Sequence, residues 1–313
     1  MTLTKEQEVN SSMKSQNFGI EIELTGMKRE EVAKTIAAYF GTSSEYEGGI
    51  YGEYTVIDHQ GRTWRVVRDG SIKALQKVNG VLIPVGDAYQ VEVVSPKCRY
   101  EDIETIQELV RNLRAAGAFA NSGNCGIHIH VDAANHNAKT LRNLVNLMAS
   151  KEDLVYKALE VHASRMSLYC RKANSSLVEE INRIKPQTLQ ELKTLWYKPY
   201  GGDGSSQHYH TSRYHGLNLH SVFSKGTVEF RLFNTPCDLH AGKIKAYIQF
   251  CLAVSHQAIV QKSASARKTT STNEKFTFRT WLLRLGLIGD EFKTARLHLL
   301  AKLDGNSAWR YAA

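Results

Sequence analysis

The chain predicts an α+β protein, with a mainly antiparallel sheet and helices stacked on one face. Three observations carry that expectation. Short strand patterns recur at 17–24, 53–57, 63–67 and 89–94. The region 140–196 is nearly all helical, and two further strand patterns at 215–222 and 226–233 precede a long apolar helix at 239–259.

Residues 1–16 are polar and read as a disordered tail without the apolar segment of a secretory signal. Asn17 to Leu24 is the first strand, and an amphipathic helix runs from about Lys28 to Phe40 after Thr25-Gly26. Glu53–Ile57 and Thr63–Val67 alternate and are joined by Asp58-His59-Gln60-Gly61, a hairpin turn. Asp69-Gly70-Ser71 is a turn, and Tyr89 to Val94 is a strand closed by Ser95-Pro96. Glu101 to Ala116 is a helix, with Ile103, Ile106, Leu109, Val110 and Leu113 on one stripe and Gly117 ending it. Breaks in the helical region fall near Asn174 and Pro186. The Gly- and Ser-rich stretch from Pro199 to Thr211 reads as a loop able to close over a site. Ser263 to Asn273 reads as a linker before two basic amphipathic helices. These boundaries suggest a tail over 1–16, a main domain over 17–260 and a basic helical extension over 261–313.

With 313 residues, 42% of them hydrophobic and 23% charged, the chain has enough apolar material for an ample core. Five scattered cysteines without a CxxC pair argue against a disulfide framework or structural zinc and predict a reducing cytoplasm. No apolar run approaches the ~20 residues of a membrane span. The net charge is +9, and from Val260 onward ten Lys/Arg stand against four Asp/Glu. That excess is either a solvated helical surface or a docking site for an acidic partner such as nucleic acid or an anionic protein.

The chemistry concentrates in strands. Glu21 and Glu23 in GIEIEL, His128 and His130 in GIHIHV, and Glu229 and Arg231 in TVEFRL are each spaced by two, so each pair shares a strand face. Two neighbouring carboxylates repel, which suits a wet strand face or a site neutralised by divalent cations. An HxH strand presents two imidazoles to one metal or phosphate, and Gly123, Asn124 and Gly126 before it allow close backbone approach. Glu229 with Arg231 is either a plain ion pair or a metal ligand beside a guanidinium that offsets phosphoryl charge. Asp69 and Glu92 add acids near strand ends, and Arg213 could clamp a phosphate bidentately. His208, His210, His215 and His220 are spaced too irregularly to define a second metal site well.

The order ExE, DGS, EVVSP, GxHxH, R…LN and TVEFRLF resembles the amidoligase family, within the carboxylate–amine ligase superfamily of glutamine synthetase and glutamate–cysteine ligase. The resemblance spans about Asn17 to Phe233, with helices to about Ile259. It implies a curved antiparallel, glutamine synthetase-like sheet with helices packed on its outer face, binding ATP and two or three Mg²⁺ (or Mn²⁺) ions. On this resemblance Glu21, Glu23, Glu92, His128 and Glu229 are metal ligands, with His128 and Glu229 serving the ion nearest the γ-phosphate. His130 lies near the nucleotide, while Arg213, Asn218 and Arg231 hold phosphates or the acyl-phosphate. Asp69 orients the amine or accepts its proton.

Thr227 stands where glutamine synthetases usually carry an arginine, so free-glutamate specificity does not carry over. The implied reaction activates a carboxylate as an acyl-phosphate at the expense of ATP, and an amine then displaces phosphate. One substrate is expected to be a peptide or protein. Two other classes fit parts of the pattern: a metal-dependent hydrolase or nuclease using the same side chains, and a nucleic-acid-binding protein using the basic C-terminus.

Overall fold

Alternating Ile and Glu residues make Phe18–Leu24 strand β1, which buries Phe18, Ile20, Ile22 and Leu24 on one face. This computed structural model of the chain describes residues 11–309. They fall into two compact units. One holds Asn17–Ile129 and Phe233–Lys245, and the other holds the segment ending at Gln16, His130–Leu232 and the residues from Ala246 onward.

In the first unit, β1 pairs antiparallel with β7 (Val91–Val94), placing Glu23 opposite Glu92. The ladder continues antiparallel through β4 (Thr63–Val67), β3 (Glu53–Ile57) and β2 (Ser44–Gly48). β8 (Gly126–Asp132), whose first four residues belong to this unit, flanks β1 on its other side. The hairpin of β5 (Leu75–Val78) and β6 (Val81–Pro84) forms a separate two-stranded sheet.

Helix α1 (Arg29–Phe40) packs on β3 and β4 and against α2 (Asp102–Ala115). Val32, Ile36, Phe40, Ile103, Ile106 and Val110 are buried on the helices, as are Trp64, Val66, Val91 and Val93 on the strands. Gly41 ends α1 in the left-handed region at φ 63°, where a side chain would be strained. Arg62 ties the β3–β4 hairpin to the start of α2. Its Nε donates to Asp58 at 2.9 Å, and its two terminal nitrogens donate to Asp102 at 2.8 and 2.9 Å.

The second unit is mainly helical. It contains α3 (Ala138–Ala158), α4 (Ala163–Leu168), α5 (Ser175–Ile184) and α6 (Leu189–Tyr197). After β9 (Leu217–Asn218) come α7 (His220–Lys225), β10 (Thr227–Asn234), α8 (Ala241–Val260), α9 (Glu274–Arg284) and α10 (Lys293–Leu300). Side chains of Asn137, Asn174, Thr188 and Asn273 cap α3, α5, α6 and α9 by accepting a backbone N–H. β9 pairs antiparallel with β10, setting Asn218 opposite Glu229. The division between the units runs through β8, β10 and α8.

Most expected elements form within a residue or two of their predicted ends. The exception is 215–222, expected as one strand. Only Leu217–Asn218 is strand, because the Asn218 side chain accepts the His220 N–H at 2.8 Å and starts α7. β2 and the β5–β6 hairpin were not anticipated; their side chains are mostly exposed and give little alternation to read. Of the expected tail, residues 1–10 lie outside the described residues. Residues 11–14 are helical, Met13 is buried, and the buried Gln16 amide donates to the Leu252 carbonyl at 2.8 Å, so this stretch is packed. The 263–273 segment has no regular structure, yet it is held to α3 by hydrogen bonds. Among the described residues no helix is long and apolar enough to cross a membrane.

Candidate active site

The face of β1 opposite its apolar side chains carries Glu21 and Glu23, and the β1–β7 register brings Glu92 beside them. Ligand atoms of Glu21, Glu92 and His128 lie within 4.8 Å of one another, as do those of Glu23, Asp69 and Glu92. Glu92 is common to both groups. His128 Nδ1 meets Glu21 Oε2 at 2.9 Å, and its Nε2 stands 3.5 Å from Glu23 Oε1. The other Glu23 oxygen accepts the Gly126 N–H at 2.6 Å. Glu23 and His128 are buried. Four carboxylates so close together, one of them out of water, repel strongly unless cations or hydrogen bonds offset them. Arg65, whose pKa is raised first by its ion pair with Glu53, also feels Glu92 and Glu21.

Asp69 comes into this cluster from a turn rather than a strand. Its Oδ1 accepts the Ser71 N–H at 2.7 Å, a local Asx turn. Asn124, before β8, fixes that turn from across the unit: its amide donates to the Ser71 carbonyl at 2.8 Å and its Oδ1 accepts the Lys73 N–H. The close backbone approach expected of Asn124 is therefore accompanied by a clasp on the Asp69 turn.

The donor set answers which ion fits. Oxygen ligands dominate and one imidazole joins them, which suits Mg²⁺ or Mn²⁺ and not a thiolate-seeking metal.

The second unit brings His130, Asn218, Glu229 and Arg231 together. Arg231 donates to Glu229 Oε1, and Asn218 Nδ2 donates to Glu229 Oε2 at 2.6 Å. His130 Nε2 stands 3.7 Å from Glu229 Oε1, while its Nδ1 bonds Thr227 Oγ1 at 3.0 Å and meets Ser221 Oγ at 3.4 Å. All four residues are buried. Arg231 also reaches the Tyr169 carbonyl at 3.4 Å and stacks toward Tyr214. In this arrangement its guanidinium balances the Glu229 charge.

Arg213 is apart from that pair. It lies over the rings of Tyr209 and Tyr214, donates to the His208 carbonyl, and lines a pocket of about 250 Å³ with Asn218, Glu229, His220 and Lys225. The 199–211 loop supplies part of the wall through Ser205, Ser206 and His208. Gly204 packs so closely on the His210 ring that any side chain there would clash.

His220 was not anticipated as a pocket residue. Its Nδ1 meets the Tyr197 hydroxyl at 2.5 Å, and the His210 ring stacks on it at 5.7 Å. Burial first, and then His210 and Arg213, lower its pKa. Only the tertiary fold brings Tyr197 to it, since the two come from α6 and α7. Among the described residues none of His208, His210, His215 and His220 joins a three-ligand cluster.

The profile of the family described as "Putative amidoligase enzyme" matches residues 14–255. No curated protein matches the chain. Among solved structures, a bifunctional glutathione synthetase from Pasteurella multocida is similar at 10% identity and a TM-score of 0.38, over 95% of this chain and 49% of that one. The chain thus spans about half the length of that enzyme, and so distant a likeness carries no argument. The family match covers β1, β7, β8 and β10 with every acidic, imidazole and guanidinium group described above, and by it this chain belongs to the "Putative amidoligase enzyme" family.

Proposed function

We propose that the chain is an ATP- and Mg²⁺- (or Mn²⁺-) dependent carbon–nitrogen ligase that joins a carboxylate to an amine through an acyl-phosphate. The observation that carries this is the meeting of Glu21, Glu23, Glu92, Asp69 and His128 in one oxygen-rich cluster. Family membership supports the ligase class. In this proposal the sheet is curved and glutamine synthetase-like.

Bound divalent ions would supply charge neutralisation at the phosphoryl oxygens. The residues' own roles are then as follows. Glu21, Glu23, Glu92 and His128 hold cations, with Gly126 orienting Glu23. Glu229 is a further ligand, aimed by Asn218 and Arg231. Arg213 binds phosphate oxygens in its pocket, and His130 lies near the nucleotide. The substrate carboxylate oxygen attacks the γ-phosphorus and ADP leaves. The amine nitrogen then attacks the acyl carbon, phosphate leaves with that oxygen, and Asp69 accepts the amine proton. The 199–211 loop keeps water from the acyl-phosphate.

The carboxylate or the amine belongs to a peptide or protein in this reading, and the basic C-terminal segment supports an acidic macromolecular partner. The test offers free and peptide carboxylates with ATP, Mg²⁺ and hydroxylamine. One hydroxamate should form per ADP, and ¹⁸O from the carboxylate should appear in phosphate. Product formation without nucleotide, or phosphate free of ¹⁸O, would sink the proposal.

A further inference from the structure

A second cavity, of about 520 Å³, opens between α3, the 261–273 segment and α9, all within the second unit. It shares no lining residue with the Arg213 pocket. Its walls are built. Buried Asn143 donates to the carbonyls of Ala258 and Gln261 at 3.3 and 3.1 Å and accepts the Ala264 N–H at 3.1 Å. Buried Asn146 donates to the Ala264 carbonyl at 3.0 Å, and the Thr269 N–H donates to the Ser150 carbonyl at 2.9 Å. These bonds hold a stretch with no helix or strand against α3 as a fixed rim.

The charge in the cavity is one-sided. Lys151 and Arg284 line it, and no Asp or Glu does. Among the described residues neither cation is ion-paired; Lys151 bonds the Thr269 hydroxyl. Burial first, and then Arg284, lower the pKa of the Lys151 ammonium. Thr277, Thr280, Gln257 and Gln261 add neutral polar groups, while Phe276 and Trp281 give the cavity an apolar side.

We propose that this cavity binds a small phosphate monoester, with the phosphoryl group between Lys151 and Arg284 and the organic part against Phe276 and Trp281. A dianion matches two unpaired cations better than a monocarboxylate does, and Arg recognises phosphate through paired N–H bonds. The volume lies within the range of sites for small ligands, on the order of 300–1,000 Å³.

Titration calorimetry of the full chain with phenyl phosphate, inorganic phosphate and benzoate tests this. Phenyl phosphate should bind more tightly than either of the others. Lys151→Met and Arg284→Met should each weaken it by about tenfold or more, while Arg111→Met, at an exposed residue lining neither cavity, leaves it unchanged. Arg284 is exposed, so its variant keeps the test open if Lys151→Met fails to fold. Unchanged affinity in the Arg284 variant, equal weakening by Arg111→Met, benzoate binding as tightly, or no heat from phenyl phosphate would each overturn the proposal.

Discussion

The Gly126 backbone N–H donates to Glu23 Oε2 at 2.6 Å, so the strand that carries His128 also fixes the carboxylate lying opposite Glu92. A single amide thereby orients one acid within a cluster of four. The cluster's mutual repulsion is a cost in the metal-free protein and, in the proposed reading, the source of affinity for cations.

Replacing both Glu21 and Glu23 by Gln should therefore act in opposite directions on stability and turnover. The metal-free variant should melt higher than the metal-free wild type, because repulsion is relieved. The rise in melting temperature that Mg²⁺ gives the wild type should disappear, and ATP turnover should fall by roughly 100-fold or more. An undiminished Mg²⁺ shift in calorimetry would remove the cation site.

Asn218→Asp replaces the donor to Glu229 with a second carboxylate in a buried site. The backbone bond to His220 survives, so α7 should form. Stability should drop by about 1–3 kcal/mol and ATP turnover should fall with it. Denaturant titration and ADP release check the pair; wild-type values in both would show that Glu229 needs no such donor.

The Arg62 network is structural. Arg62→Ala leaves buried Asp58 and Asp102 short of their partner and should cost about 2–4 kcal/mol. Hydrogen bonds from Arg62, Gln60 and Trp64 outweigh burial in holding Asp58 below the usual carboxylate range, and Arg62 and Arg99 do the same for Asp102. Both contributions are present above about pH 4 and are lost as pH falls through the depressed values. The variant should show a shallower acid-side loss of stability, and an identical slope would contradict this account.

His136 is buried between Thr140 and Ser255, with Nε2 at 3.0 Å from the Ser255 hydroxyl, and burial lowers its pKa to about 4. Below about pH 6.5 the unfolded ring takes a proton that the folded ring refuses, so stability falls as pH drops from there toward 4. The full loss is on the order of 3 kcal/mol. His136→Asn should flatten stability against pH across that window, and NMR of the wild-type ring should show it neutral at pH 5.

Ending the chain at residue 262 removes more than charge. Phe278 and Leu282 from α9, Phe292 just before α10 and Leu299 from α10 are buried, and Asn143 and Asn146 lose bonds to the 264 region. The truncated protein should unfold at markedly lower denaturant or fail to fold; a wild-type midpoint would mean that these helices are appended to the fold and not part of it.

Period-two spacing announced Glu21/Glu23, His128/His130 and Glu229/Arg231 because a strand face is a local property. The caps at Asn137, Asn174 and Thr188 are local as well, yet of these only Asn174 stands out in the sequence, and as a break in the helical region. His220 was read as strand because its helix is started by one side-chain bond from Asn218, which no periodicity encodes. The 263–273 stretch read as a linker because its Ser, Lys and Thr residues form no regular element, whereas the asparagines that hold it lie on α3.

What the amino-acid order determined alone is which side chains share a face, which faces are apolar and where helices begin, since backbone geometry sets these over a few residues. The meeting of Asp69 with Glu23 and Glu92, the clasp of Asn124 on the Asp69 turn, and the walls of the Lys151 cavity were decided by the tertiary structure. Each depends on strand register or on hydrogen bonds between segments far apart along the chain, and such partners compete with water until the packed core brings them together and excludes it.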